Sequence, residues 1–281
     1  MRINQNVAAF NAYRNLSTTG GQLSKSLEKL SSGFRINRAA DDAAGLVKSE
    51  SLRAEIGGTK QAIQNAQDGV SFVQTAEGAL NEVHSILQRM RDLAVSAANT
   101  ATTDGAAQQA EIDELVEELT AIGNRTTFAG QQVFANYSGG SSSLVFHIGA
   151  GSGVNHQLVI ADDLRLSVDG SAGVFSGINL DAVDVTTGSG AESAISVLDA
   201  AIAAVSDTRS TLGATQNRLE HTVANLNVAV ENLQASESRI RDADMALEMV
   251  AFTRHQIMSQ AGTAMLAQAN SVPQSVLQLL Q

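Results

Sequence analysis

The side chains able to do chemistry in this sequence are few and scattered. Its histidines are His84, His147, His156, His221 and His255, and no two stand four residues apart, as helical zinc ligation of the His-Glu-x-x-His kind requires. Adjacent carboxylates occur at Asp41-Asp42 and Asp162-Asp163. Neighbouring residues do not share a helix face, so these pairs suit capping or surface roles better than general acid–base work. Gly149-Ala-Gly-Ser-Gly153 has the glycine density of a phosphate loop. No Gly-Lys-Ser/Thr ending follows it, and its flanks read as two strands, whereas a phosphate cradle joins strand to helix. It reads as a turn. There is no Gly-x-Ser-x-Gly nucleophile elbow and no cysteine, which removes disulfides, thiolate metal sites and cysteine nucleophiles. The expectation is a protein without enzymatic activity, metal or cofactor, whose work is done by packing.

The elements that would pack are legible in composition and charge. Among 281 residues aromatics make up 4%, tryptophan is absent and Pro273 is the only proline. Without large aromatic payloads and with the main helix breaker missing, Ala, Leu, Val and Ile must build helix–helix seams rather than a thick core. The net charge of −11 argues against nucleic acid, whose phosphates want a basic surface. Residues 1–40 nevertheless hold six basic side chains (Arg2, Arg14, Lys25, Lys29, Arg35, Arg38) and one acid, Glu28, while Gln256 to Gln281 carries no charge at all. A long uncharged tail of Gln, Ser and Ala suits a segment buried against other copies of the chain. No stretch approaches the roughly 20 apolar residues of a membrane helix. The N-terminus lacks an apolar run with a small-residue cleavage site, so the expectation is a soluble chain with no cleaved signal peptide and no membrane partner.

A heptad series runs through the C-terminal half: Leu198, Val205, Leu212, Leu219, Leu226, Leu233, Ile240 and Leu247. Three residues beyond each lies a mostly small side chain, from Ala201 and Thr208 to Ala243 and Val250. An apolar position every seven residues with a second seam three further on is a coiled-coil stripe, and the series predicts a rod of about 80 Å at 1.5 Å per residue. The N-terminal half supplies a partner seam of Val73, Leu80, Leu87 and Ala94, seconded by Ala76, Val83, Met90 and Ala97, with Ile56, Ile63 and Val70 continuing it upstream in a shifted phase. A second helix is expected over about 106–123 on Ile112, Leu115, Leu119 and Ile122, with Asp104 as its N-cap. Between the halves, Leu144, Phe146 and Ile148, then His156, Leu158 and Ile160, alternate around the glycine-rich turn and predict a β-hairpin. At the extremes, one apolar stripe holds Phe10, Tyr13, Leu16, Leu23, Leu27 and Leu30; another runs from Met249 and Phe252 to Leu280.

Both ends also spell a family. Leu30-Ser-Ser-Gly-Phe-Arg-Ile-Asn37 with Asp41-Asp-Ala-Ala-Gly-Leu46, and Arg209-Ser-Thr-Leu-Gly-Ala214, Gln216-Asn-Arg-Leu-Glu220, Ser236-Glu-Ser-Arg-Ile-Arg-Asp-Ala-Asp244 and Ala264-Met-Leu-Ala-Gln-Ala-Asn270, resemble the two terminal signatures of bacterial flagellins. The resemblance covers about residues 1–137 and 195–281. Phe34 stands where the family commonly has Leu, and Arg38-Ala-Ala replaces the commoner small-x-Lys before Asp41. Large outer domains are missing, so the chain resembles a near-minimal member. Gln88-Arg-Met-Arg-Asp-Leu-Ala-Val95 is similar to the flagellin segment recognised by a vertebrate Toll-like receptor. The resemblance implies a candidate receptor and inter-subunit patch of Gln88, Arg89, Arg91, Asp92, Leu93 and Glu111, with Arg89 leaving the seam sideways. Asp92 in place of Glu, and Asp113-Glu-Leu-Val116, depart from the family pattern there.

These readings predict a mainly α fold: a long antiparallel helical coiled-coil bundle formed by both chain ends, with a small β-hairpin insertion in the middle. The expected divisions are terminal helical pieces at 1–44 and 240–281, rod pieces at 45–137 and 195–239, and a glycine-rich hairpin and connection at 138–194. The implied function is a structural subunit polymerising with itself into the flagellar filament. It would be secreted by the flagellar type III route, with an export chaperone, cap and hook-junction proteins as partners by resemblance. A hook–filament junction protein, or an intracellular coiled-coil scaffold, are the alternatives.

Overall fold

A computed structural model describes residues 6–99, 105–134, 144–160, 164–170 and 173–279. The chain divides into two compact units: Gly57–Val230, and a unit made of both chain ends, up to Ile56 and from Glu231 onward. The boundaries expected from sequence, 44/45 and 239/240, both fall inside the unit of the chain ends. Residues 57–230 hold 19 acids against 7 Lys or Arg, whereas the two flanking stretches together hold 10 against 11. The negative charge is thus almost wholly central.

The central unit is built on helix α2 (Ala43–Ala97), helix α3 (Ala106–Arg125) and helix α4 (Gly188–Arg241), of which α2 and α4 also reach into the other unit. Along α2 a seam of buried positions runs through Ala62, Ala66, Gly69, Val73, Ala76, Leu80, Val83, Leu87, Met90, Ala94 and Ala97, with Thr59, Phe72 and Leu93 buried beside it. Steps of four and three alternate without error, the signature of a helix kept facing one partner. From α4, Leu198, Ala201, Val205, Leu212 and Leu219 are buried opposite. Each fully buried Leu here contributes about 1.5–3 kcal/mol. Upstream, Ile63 and Val70 are only half-buried and the seam passes through Ala62, Ala66 and Gly69 instead. These small residues keep the heptad phase, and at Gly69 any side chain would press on Leu219 of α4 and on the hairpin described below.

The heptad series on α4 does not hold to its end. After Leu219 the next buried apolar position is Val230, eleven residues on, while Leu226 is half-buried. A straight helix drifts about 20° per heptad, and eleven residues close three turns almost without drift. Leu233 and Ile240 are half-buried too. Leu247 corrects the series outright: α4 stops at Arg241, and Leu247 belongs to the following helix, α5 (Met245–Leu279), where it is 69% exposed. The cause is local. The Ser238 hydroxyl donates to the Asp242 carboxylate at 2.6 Å, and Asp244 Oδ1 accepts the N–H groups of Ala246 and Leu247 at 2.9 and 3.2 Å, so a new N-cap replaces continuation. Among the described helices α4 is the one long and apolar enough to cross a membrane by composition, contrary to the expectation that no segment is. Its apolar positions Leu198, Ala201 and Val205 lie in the core.

Among the described residues four short strands form two hairpins. β1 (Thr127–Phe128) and β2 (Gln131–Gln132) turn at Ala129 and Gly130, both at positive φ (50° and 81°), as a two-residue primed turn demands. β3 (Leu144–His147) pairs antiparallel with β4 (Gln157–Ile160), placing Leu144 opposite Ile160 and Phe146 opposite Leu158. This is the expected hairpin, and it docks on α2. A Cβ on Gly58 would meet the Ala150 Cβ at 3.0 Å, and one on Gly69 would meet the Phe146 ring at 3.3 Å. Asn65 Nδ2 donates to the His147 carbonyl at 2.9 Å. Phe72 stands between Phe128 and Phe146, with ring centroids 5.9 and 5.8 Å away.

The segment after β4 departs from expectation. Read as a plain connection, it instead buries Leu164, Leu166, Val174, Phe175, Leu180, Val183 and Val185, so the unit has an irregular core layer in addition to its helix seams. The backbone there bonds to itself, Val174 N to Arg165 O and Leu180 N to Val168 O at 2.8 Å each. Gly173, at φ 81°, passes so close to Arg165 that any Cβ would strike its carbonyl. Gln109 on α3 fastens the far end: its amide donates to Val183 O at 3.0 Å and its carbonyl accepts from Val185 N at 2.8 Å. The expected cap Asp104 lies outside the described residues, and α3 follows Gly105, whose left-handed φ of 73° lets it pass beneath the Val185 carbonyl.

Helix α1 (Val7–Ser32) packs along α5 in the unit of the chain ends, with Cα atoms of the two within 8 Å of each other along the pair. Small side chains permit this: a Cβ on Gly262 would meet Leu16 Cδ1 at 3.2 Å, and the most buried residues of α1 are Thr19 and Ser26. The expected α1 stripe splits. Leu16, Leu23 and Leu30 are half-buried, whereas Phe10, Tyr13 and Leu27 face outward.

Candidate functional site

The two signature stretches recognised in the sequence meet at the breaks between helices. Gly33, at φ 75°, ends α1 as a left-handed cap, its N–H returning to Lys29 O at 2.9 Å; glycine takes that conformation at no steric cost. The chain then lies antiparallel to the α4–α5 break. Phe34 pairs with Asp242, Arg35 N donates to Arg241 O at 2.7 Å, and Ala243 N donates to Gly33 O at 2.9 Å. The Arg35 guanidinium donates to Ile240 O at 2.6 Å, satisfying a carbonyl that the end of α4 leaves without a helical partner. Arg241 lies over the Phe34 ring, 4.7 Å from its centroid, and ion-pairs with Glu50 at 2.9 Å. Phe34, the departure from the commoner Leu, thus gains a cation–π contact.

The paired carboxylates behave as caps. Asp42 Oδ1 accepts Gly45 N at 2.9 Å at the start of α2, and Asp41 Oδ2 accepts Arg38 N and Asn37 N at 3.0 and 3.3 Å. Those backbone donors hold the Asp41 carboxyl below its ordinary pKa, and side-chain bonds from Arg38 and then Asn37 do the same for Glu28. Asp162 and Asp163 lie outside the described residues. Among the described residues no group of His, Asp and Glu is arranged to hold a metal.

Asn6 does two things at the other end of the pair. Its Oδ1 caps α1 by accepting Ala9 N at 3.0 Å, and its Nδ2 donates to the Ala269 carbonyl at 2.7 Å. That carbonyl is the one Pro273 cannot serve, since proline has no N–H to return four residues back; α5 runs on through Pro273 to Leu279. Sequence reasoning missed this pairing, because nothing local links residue 6 to residue 269.

An unmatched apolar surface lies on the outer side of α5. Leu247, Val250, Ile257 and Met265 are each at least 60% exposed, and Met249, Val250, Thr253, Arg254, Ile257 and Met258 line an apolar groove of about 480 Å³. One side of α5 packs on α1, and on the other these apolar side chains are exposed among the described residues. A helix that carries exposed apolar side chains beyond those that meet its partner offers a surface for burial against a further element.

The patch expected around Arg89 lies in the central unit and is only partly a surface. Arg89 pairs with Glu111 of α3 at 2.7 Å, and Arg91 with Asp199 of α4 at 2.6 Å, which raises the pKa of Arg91. Gln88 bonds His84 at 3.0 Å, and Asp92 is exposed. Leu93 is a correction: at 7% exposure it belongs to the core, since it sits one residue before Ala94 on the side turned toward the bundle.

Comparison with known proteins gives concordant findings. The family description "bacterial flagellin N-terminal helical region" matches residues 3–139 and "bacterial flagellin C-terminal helical region" matches residues 195–280. A flagellin of Halalkalibacterium halodurans is 51% identical over 285 residues, and one of Bacillus subtilis is 48% identical over 304, with 100% of both chains covered in each case. Among solved structures, a putative flagellar hook-associated protein from Vibrio parahaemolyticus is similar in fold, with a TM-score of 0.57 and 16% identity over 72% of this chain and 100% of that one.

Proposed function

The chain belongs to the bacterial flagellin family, and from that premise we propose that it is the structural subunit of a flagellar filament, working by polymerisation rather than catalysis. The observation that carries the reading is the doubly apolar α5. Its inner side is covered by α1, while Leu247, Val250, Ile257 and Met265 face outward; copies of the same helix pair supply the missing cover. Subunits added by a repeated, non-closing operation form a helical polymer. The uncharged stretch from Gln256 suits such a site, where a buried charge would cost several kcal/mol without a partner.

The finer account follows the family. The subunit is exported unfolded through the flagellar type III route, with the basic first 40 residues as the signal, and acts outside the cell. A chaperone holds it before export, and cap and hook-junction proteins bound the polymer. The hook–filament junction alternative is supported only by likeness of fold, whereas whole-length identity favours the filament subunit. An intracellular scaffold leaves the outer face of α5 without a use. The salt-bridged Arg89–Glu111 pair, with Gln88 and Asp92 beside it, offers the surface for a vertebrate Toll-like receptor. Leu93 acts from below by holding α2 in place.

The test is negative-stain microscopy of purified subunit mixed with short filament seeds, with receptor-dependent reporter signalling measured in parallel. Extension of the seeds is expected. Unextended seeds under conditions where the subunit is folded would defeat the reading, and signalling unchanged by Arg89→Ala would remove the receptor surface from it.

A further inference from the structure

Sulfur in this chain is distributed unevenly. There is no cysteine, and methionine is the only sulfur-bearing residue. Met1 lies outside the described residues. Of the others, Met90 is wholly buried in the central core, while Met245, Met249, Met258 and Met265 all lie on α5, with between 44% and 64% of each exposed. Met249 and Met258 line the apolar groove. The thioethers that a dissolved oxidant can reach are therefore concentrated on the helix whose uncovered side is the proposed assembly surface, with no thiol anywhere to intercept the oxidant first.

We propose that these four methionines form a peroxide-sensitive modification site that governs whether a free subunit can join the polymer. The inference rests on the assembly reading and adds its regulation. In the reaction, a thioether sulfur donates an electron pair to one peroxide oxygen. The O–O bond breaks, the sulfur gains an oxygen and is oxidised by two electrons, and hydrogen peroxide is reduced to water. The product is a methionine sulfoxide, polar and chiral where the thioether was apolar and flexible. On an exposed helix this costs the free subunit little. On a surface that must be desolvated against a neighbour, the sulfoxide oxygen keeps its demand for a hydrogen bond and opposes burial. Reversal needs a methionine sulfoxide reductase and a dithiol: the dithiol gives up two electrons and two protons to become a disulfide, and the oxygen leaves as water. Met90, enclosed by the core, is spared.

The experiment uses the full-length free subunit treated with hydrogen peroxide. Mass spectrometry follows sulfoxide at each methionine, and microscopy follows the rate of seed elongation. Met245, Met249, Met258 and Met265 are expected to oxidise at least about tenfold faster than Met90, with elongation falling at least about tenfold and returning after reductase and dithiol. A variant carrying Met245→Leu, Met249→Leu, Met258→Leu and Met265→Leu keeps volume and apolarity. Read against its own untreated rate, it is expected to lose less than about twofold on the same treatment. Full-rate elongation by subunits carrying all four sulfoxides would overturn the proposal, as would an equal peroxide-induced loss in the fourfold variant. If untreated protein fails to extend seeds, the assembly reading itself falls and takes this one with it, so the two failures are distinguishable.

Discussion

In the unit of residues 57–230, the seam of α2 from Val73 to Met90 is buried to the last side chain; in the unit made by the chain ends, Phe10, Leu247, Val250 and Ile257 are each at least 60% exposed. Both units are helical and both draw on Leu, Val, Ile and Ala. The difference is where the partner comes from. The central unit finds its cover within the chain, from α3, α4, the β3–β4 hairpin and the irregular 164–185 layer, and its surface carries the excess of acids. The ends have one helix of cover each, a seam of Thr19, Ser26 and Gly262, and an apolar outer side with almost no charge on its later half. A unit that completes its own core is stable alone, whereas one that leaves half its apolar surface open is completed by association.

The comparison breaks most visibly with one charge placed in each unit. Leu87→Asp puts an unpaired carboxylate in the central core and is expected to destabilise the free subunit by about 3–5 kcal/mol, measured by denaturant titration of the helical signal. Leu247→Asp, on an exposed position, is expected to change that stability by less than about 0.5 kcal/mol while abolishing seeded elongation. Equal destabilisation by both would mean that α5 is already covered within one chain.

Next in size is the difference in local opening. Amides of α1 and α5 in the free subunit are expected to exchange with solvent at least about a hundredfold faster than those around Leu80 and Leu87, since few buried apolar contacts hold the terminal pair. Limited proteolysis should remove the ends first, and both contrasts should narrow in the filament. Equal protection in the free subunit would remove the distinction between the units.

Asn6 sharpens the comparison inside the terminal pair. Asn6→Ala removes both the α1 cap and the donor to Ala269 O, and is expected to cost the pair about 1–2 kcal/mol, read from amide exchange at both helices. Asn6→Asp keeps the cap oxygen and loses only the donor, so its effect should fall chiefly on α5 near Ala269. Identical profiles for the two variants would show that the cap alone matters.

The smallest expected effect is an acid one. Glu28 and Asp41 have folded-state pKa values below their ordinary ones, so their contribution is fully present above the unfolded values, near pH 4, and is lost as pH falls through the folded values. The α1–α2 connection around residues 35–42 should therefore loosen on acidification below about pH 4, seen as faster exchange at Asn37 and Arg38. Asp41→Asn should lose the carboxylate contribution from the start and flatten that response, and a parallel pH response in the variant would count against the carboxylate as its source.

Much of this was written in the residues. The absence of proline before residue 273, the heptads on Val73–Leu87 and Leu198–Leu219, and the alternation of Leu144–Ile148 with His156–Ile160 each determine a local conformation through a period that a helix or strand must satisfy. The terminal signatures also determine the family. The sequence could not say where a period stops mattering. Leu247 keeps the seven-residue count, yet Asp244 restarts the helix before it. Ile63 and Val70 are the larger residues, but the seam runs past them through Gly69, where a Cβ would already meet the Phe146 ring at 3.3 Å, as one on Gly58 would meet Ala150 at 3.0 Å. Phe175 and Leu180 sit in a segment with no period at all, and are buried because Gly173 lets the loop fold onto Arg165 and Gln109 holds its end. The pairing of Asn6 with the carbonyl that Pro273 leaves free, and of Arg35 with the end of α4, joins residues more than 200 positions apart. Local periodicity reports what each stretch prefers when a partner is present. Which partner arrives, and which side of α5 receives none, is settled by long-range packing, and only the tertiary structure decided it.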